Sequence, residues 1–254
     1  MQITQGHKSA SLGDFKFMEL FSLSTYTDST KPLVMYGCYN EYDYNIVRNH
    51  KAQLVIIWLG LDSKCIIDSH IFKASNIVNV SEKRQIQTIL DTHGIGCMLI
   101  KPLAFTSIGS PVTLGNKVYS YVHKNDPEYY GSKIIEQINT PYEILIADYT
   151  IKQSEWYGGV CESYYSQAFV GLALSSFCGG GTSILELGLR GIRCITNVLQ
   201  TPNAIPFQNV KGIEAAIKDE AMNIGTVNNK LIEQMKESCV CMVQDGFRLR
   251  DLMI

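Results

Sequence analysis

Three consecutive glycines, Gly179, Gly180 and Gly181, separate an apolar run (FVGLAL, residues 169–174) from a helical pattern that opens at Thr182 or Ser183 and stops at Gly191. Glycine lets the backbone turn sharply and brings its amides close to a ligand. A helix N-terminus beside such amides favours an anion, a phosphate or diphosphate above all. The same residues also suit a plain strand-to-helix turn. Ser183 and Glu186 carry capping-box spacing, which needs no ligand. Lys117, at the start of KVYSYV, could meet a diphosphate as a point charge, or be a solvated strand-end lysine. Tyr119 and Tyr121 share one face of that strand and read mainly as packing. One of them, or Trp156 or Tyr157, could stack on a planar base. Asp43 and Asp62 follow apolar strands, at the edge where open α/β sheets place ligands. His70 is a second candidate for proton chemistry; His7, His50, His93 and His123 show no partner pattern.

The elements that must position these groups alternate. Buried-strand runs are expected at 32–36 (PLVMY), 54–59 (LVIIWL), 76–80 (NIVNV) and 97–100 (CMLI). Helices are expected between them at 40–49 and 82–92, the second capped by Ser81. Residues 1–30 give no clear pattern. The stretch 103–115, with Gly109, Pro111 and Gly115, breaks the periodicity as a linker would. The alternation then restarts with strands at 117–122, 142–147, 169–174 and 192–196. Helices are expected at 132–138, near 161–167, at 182–189, 213–224 and 230–243. Continuous apolar strands alternating with helices predict parallel, doubly wound sheets. The predicted domains are 1–113 and 114–254.

Composition narrows the function classes. The 254 residues are 46% hydrophobic and 18% charged, with a net charge of −2, which gives no electrostatic reason to expect nucleic-acid binding. The eight cysteines include no CxxC pair, and no His lies at zinc-ligand spacing, so reduced, buried thiols and no metal are expected. No run of about 18 apolar residues predicts a membrane span, and no basic flank precedes an apolar N-terminal core. The expected location is the cytoplasm, the host's if the source is viral.

The order of motifs resembles a GT-B-type glycosyltransferase of the small viral or bacterial kind. The segment ELGLRGIRCITN after the glycines is similar to the donor-side helix and strand of that family, with Glu186, Gly191 and residues 192–195 in the matching places. YGCYNEYD (36–43), VIIWLGLD (55–62), GNKVYSY (115–121) and Tyr130-Gly131 resemble its strand-end motifs. Cys178 stands where many retaining members carry a second Glu. The resemblance implies two Rossmann-like parallel-sheet domains facing across a cleft. It implies transfer of a hexosyl or related sugar, without a metal, from a UDP- or GDP-linked donor to a hydroxyl on a glycan or glycoprotein acceptor.

On that reading the nucleotide sugar contacts Lys117, Tyr121, Gly179, Gly180, Gly181, Thr182, Ser183 and Glu186, with Glu186 on the ribose hydroxyls. Asp62, then His70, would be the general base. Two other readings stay open. One is a non-catalytic sugar-nucleotide- or glycan-binding domain. The other is an epimerase or dehydrogenase, although no GxGxxG follows the first predicted strand.

Overall fold

The computed structural model describes residues 3, 5–9, 22–104, 111–123, 126–148, 161–175, 177 and 181–241. They form two compact units, one holding the described residues up to 104 and the other those from 111 to 241.

The first unit is built on strands β1 (Gln5–Lys8), β2 (Ser24–Thr25), β3 (Leu33–Tyr36), β4 (Leu54–Trp58), β5 (Ile77–Ser81) and β6 (Cys97–Leu99). They make a six-stranded sheet in the order β2-β1-β3-β4-β5-β6. Every pairing is parallel. Residues 33–35 and 54–57 have no exposed surface, as expected for strands covered on both faces. Each such side chain contributes about 1.5–3 kcal/mol by its burial.

Helix α1 (Glu41–Asn49) follows β3 and is capped by Asn40, whose side chain accepts the Asp43 N–H while Asp43 accepts the Asn40 N–H. Helix α2 (Leu61–Lys64) is a single turn after β4, and α3 (Arg84–Thr92) follows β5 with Ile86 and Leu90 turned inward. The cap expected from Ser81 is displaced. Its hydroxyl accepts the Lys83 N–H and donates to Trp58 O, so the helix starts only at Arg84.

Strand β1 lies in residues that gave no pattern, yet it sits inside the sheet between β2 and β3. Its four residues, QGHK, are too few and too polar for an apolar period. What holds it is a parallel ladder to β3, pairing Gln5 through Lys8 with Leu33 through Tyr36. Buried Gln5 adds to this by accepting the N–H groups of Thr27 and Asp28 and donating to Asp28 O.

The second unit has strands β7 (Lys117–Val122), β8 (Ile144–Asp148), β9 (Ala168–Ala173), β10 (Arg193–Thr196) and β11 (Ala204–Ile205). They lie in the order β11-β10-β9-β7-β8, again all parallel. The helices among its described residues are α4 (Ser132–Ile135), α5 (Cys161–Tyr165), α6 (Gly181–Gly188), α7 (Val210–Glu220) and α8 (Asn229–Ser238). Gly191 takes φ 88° on the way from α6 to β10, a left-handed conformation that suits glycine at a helix exit.

An ion pair is locked beside this core. Arg190 is 2% exposed. Its guanidinium donates to both carboxylate oxygens of Glu162, donates to Glu186 O at 2.9 Å, and lies 5.0 Å from the centre of the Tyr165 ring. Removing one partner of a buried pair strands the other charge. Because Arg190 is the deeper member, Glu162→Ala should lower the unfolding free energy by about 3 kcal/mol or more. Arg190→Met should cost less, since the half-exposed Glu162 can turn to water. Denaturant unfolding of the two variants checks the order.

Candidate functional site

In an open parallel sheet, ligands settle beyond the carboxyl ends of the strands where the strand order reverses. In the first unit β1 is flanked by β2 on one side and β3 on the other, so the reversal lies between β1 and β3. Residues at the ends of these two strands meet there. His7, in β1, contacts Asp43 Oδ1 through Nε2 at 2.8 Å. Ser9 Oγ donates to Asp43 Oδ2 at 2.5 Å, and the Tyr39 N–H donates to the same oxygen at 2.8 Å. Asn40 Nδ2 in turn donates to Ser9 Oγ at 3.2 Å.

Asp43 has no exposed surface. Burial pushes its carboxyl up, but the bonds from His7, Ser9 and the Tyr39 amide outweigh that and hold it below the usual carboxylate range. An ionised carboxylate only accepts, so the His7 proton sits on Nε2 and Nδ1 is left as the basic nitrogen. The His7 side chain is 12% exposed.

The second unit has its reversal between β7 and β9. A shallow recess, with an enclosed volume of only about 10 Å³, lies there. Tyr121 from the end of β7, Leu172 to Ser175 from the end of β9, Tyr130, Cys194, and Ser183 and Leu187 of α6 line it. Tyr121 and Tyr130 meet edge-to-face at 5.3 Å, and the His123 ring stacks on Tyr130 at 5.8 Å. Gly181, Thr182 and Ser183 form the first turn of α6 and are half-buried.

The nominated residues divide. Tyr121 and Ser183 line the recess, and Gly181 and Thr182 stand at its helix. Gly179 and Gly180 lie outside the described residues, as do Cys178, Trp156 and Tyr157. Lys117 is at the opposite end of β7, roughly 13 Å from Tyr121 at the rise of a strand. There it pairs with Glu143 at 3.0 Å, away from any diphosphate in the recess.

The capping box of Ser183 and Glu186 does not form, because α6 begins at Gly181 and Ser183 is already inside it. Glu186 is 1% exposed and takes a short hydrogen bond from the Tyr165 hydroxyl. On α6, Ser183 and Leu187 share the face that lines the recess.

Asp62 also turns inward. It has no exposed surface and accepts from the backbone N–H groups of Cys38, Leu59, Gly60 and Ser63. That makes it the organiser of the β4–α2 turn, with no path to an acceptor proton. His70 is exposed on a 3₁₀ turn, its N–H bonded to Asp68. A group placed for proton transfer is His7, to which the sequence pattern assigns no partner. Its partner Asp43 had been placed at a strand end, but β1 gave no signal to set His7 opposite it.

Among the described residues no group of three or more His, Cys, Asp or Glu is placed to hold a metal ion, and no helix is long and apolar enough to cross a membrane. Cys38, Cys97, Cys161, Cys194 and Cys239 are buried free thiols, whereas Cys65 is exposed.

Two Rossmann-like units of parallel sheet, each with a reversal of strand order, give a GT-B-like fold, as the motif resemblance implied. Solved structures carry the same likeness. TarM matches with a TM-score of 0.54 at 14% identity, over 84% of this chain and 53% of its own. A mutant of S. aureus TarM in complex with fondaparinux, alpha-GlcNAc-glycerol and UDP matches at 0.52 and 13%, over 84% and 54%. Sucrose-phosphate synthase from Thermosynechococcus elongatus matches at 0.55 and 12%, over 82% and 69%. The chain thus spans about half the length of TarM. No protein-family profile matches the sequence, and no curated protein matches it.

The Asp62 carboxyl is pushed up to about 6 by burial, against the pull of the backbone amides at Gly60, Leu59, Ser63 and Cys38. A folded pKa above the unfolded one gives stability that is fully present below the unfolded value, near 3.8, and is lost as pH rises through about 6. Denaturation between pH 4 and 7 should show this slope, up to about 3 kcal/mol in all, and Asp62→Asn should flatten it.

Proposed function

We propose that the protein is a glycosyltransferase that moves a hexosyl or related sugar from a UDP- or GDP-linked donor to a hydroxyl of a glycan or glycoprotein. The observation that carries this reading is the pairing of His7 with a buried, ionised Asp43 at the strand-order reversal of a GT-B-like unit. The likeness to TarM, one of whose structures holds UDP, supports it.

In this reading the first unit serves the acceptor and the second the donor. His7 Nδ1 takes the proton of the acceptor hydroxyl, and Asp43 stabilises the imidazolium that forms. The acceptor oxygen bonds to the anomeric carbon as the bond from that carbon to the diphosphate breaks. The electron pair leaves with the nucleoside diphosphate. The recess beside α6 takes the nucleotide: Tyr121 meets the base, and the hydroxyls of Thr182 and Ser183 with the first-turn amides meet the diphosphate. None of the described lining residues is Lys or Arg, and in this reading the helix amides supply the counter-charge to the diphosphate.

Two outcomes are expected. UDP or GDP should raise the melting temperature, and NAD should not; stabilisation by NAD alone would overturn the reading. With a donor that turns over, His7→Gln should lower kcat by about 10²–10⁴ while the donor KM stays within experimental error. A transferase whose rate ignores His7→Gln would remove His7 from the chemistry.

A further inference from the structure

Tyr42 is 65% exposed, the most exposed aromatic among the described residues with large apolar side chains in water. A single exposed tyrosine is ordinary. Its position is what matters. Tyr42 lies in the first turn of α1, directly before Asp43, and its ring centre is 5.7 Å from that of His7, tilted by 57°. The helix that presents Asp43 to His7 therefore also sets an exposed aromatic ring beside the His7–Asp43 pair. Polar groups frame the place: Asn40 and Ser9 are bonded to each other, and Glu41 pairs with Arg48 on the outer side of α1.

We infer that Tyr42 is the platform on which the acceptor lies, and that the acceptor group is a pyranose ring. A pyranose offers one face of C–H groups that packs on an aromatic ring and a rim of hydroxyls that seeks polar neighbours. A ring seated on Tyr42 would bring one hydroxyl towards His7 and another towards the half-buried Asn40, with buried Ser9 holding Asn40 from behind. An extended peptide bearing a serine hydroxyl would instead need pockets for alternate side chains. The inference rests on the reading of His7 as the acceptor-side base, and it narrows the acceptor from glycan or glycoprotein to the sugar itself.

The test is binding, read apart from turnover. Saturation-transfer NMR is run on the intact chain with the methyl glycosides of glucose, galactose and N-acetylglucosamine, and with a serine- and threonine-containing hexapeptide. At least one glycoside should bind wild type. Tyr42→Ala should weaken it by about ten-fold, Tyr42→Trp should restore it, and the melting temperature should report that both variants are folded. Equal binding to wild type and Tyr42→Ala overturns the inference. So does the absence of glycoside binding to wild type, or peptide binding that depends on Tyr42. The two readings fail separately. If UDP and GDP do not bind but a glycoside binds through Tyr42, the transferase reading falls and the saccharide platform stands. If a nucleotide binds and no glycoside does, only the platform falls.

Discussion

The first unit depends on one carboxylate. Asp43 is out of water, and a charge there is costly unless several donors reach it. His7, Ser9 and the Tyr39 and Asn40 amides all do. Two of these donors come from β1 or just after it and two from the loop after β3, so Asp43 ties the strand with the weakest pattern to the strand with the strongest. Its place in the Asn40 capping box adds a second constraint, because the same side chain fixes where α1 begins. Position of helix, position of strand and tautomer of His7 are thus one problem with one solution.

The second unit solves its charge problem away from the ligand edge. Arg190 and Glu162 satisfy each other, Arg190 also covers Tyr165, and Tyr165 donates to Glu186. Glu186 is therefore held against α5, on the interior side of α6. The result is a recess whose described lining is aromatic, aliphatic and hydroxylic, with the helix terminus as its electrostatic feature.

The strands of both sheets were legible because buried parallel strands are written as continuous apolar runs: LVMY, LVIIW and KVYSYV all appear where expected. Helix starts were less legible. Ser81 and Ser183 both looked like caps, but one serves a strand end and the other lies inside its helix, since a serine hydroxyl bonds whichever backbone group is nearest. β1 was not legible at all. Four polar-to-mixed residues carry no period, and only the ladder to β3 and the Asp43 network make them a strand. The proposed base, His7, lies in that strand, so it was hidden for the same reason as the fold around it. Lys117 misled for another reason: its residue type suits a phosphate, but it opens a strand whose ligand edge is at the other end.

Asp43 and Asp62 show why a strand-end carboxylate cannot be assigned by position alone. Both follow apolar strands of the same sheet, both have no exposed surface, and both are bonded to backbone amides around Cys38. They titrate in opposite directions from the usual value, Asp43 downward and Asp62 up to about 6. Backbone amides feature at both; Asp62 is set deeper, so burial raises it more, and Asp43 receives an imidazole and a hydroxyl that Asp62 lacks. Environments that separate two like groups in this way also separate their tasks. One carboxylate keeps a firm charge, which in the proposed reaction would answer a proton arriving on His7. The other shapes the turn at Gly60, and the Cys38 thiol beside both is held protonated by burial, with the two negative charges adding to the effect.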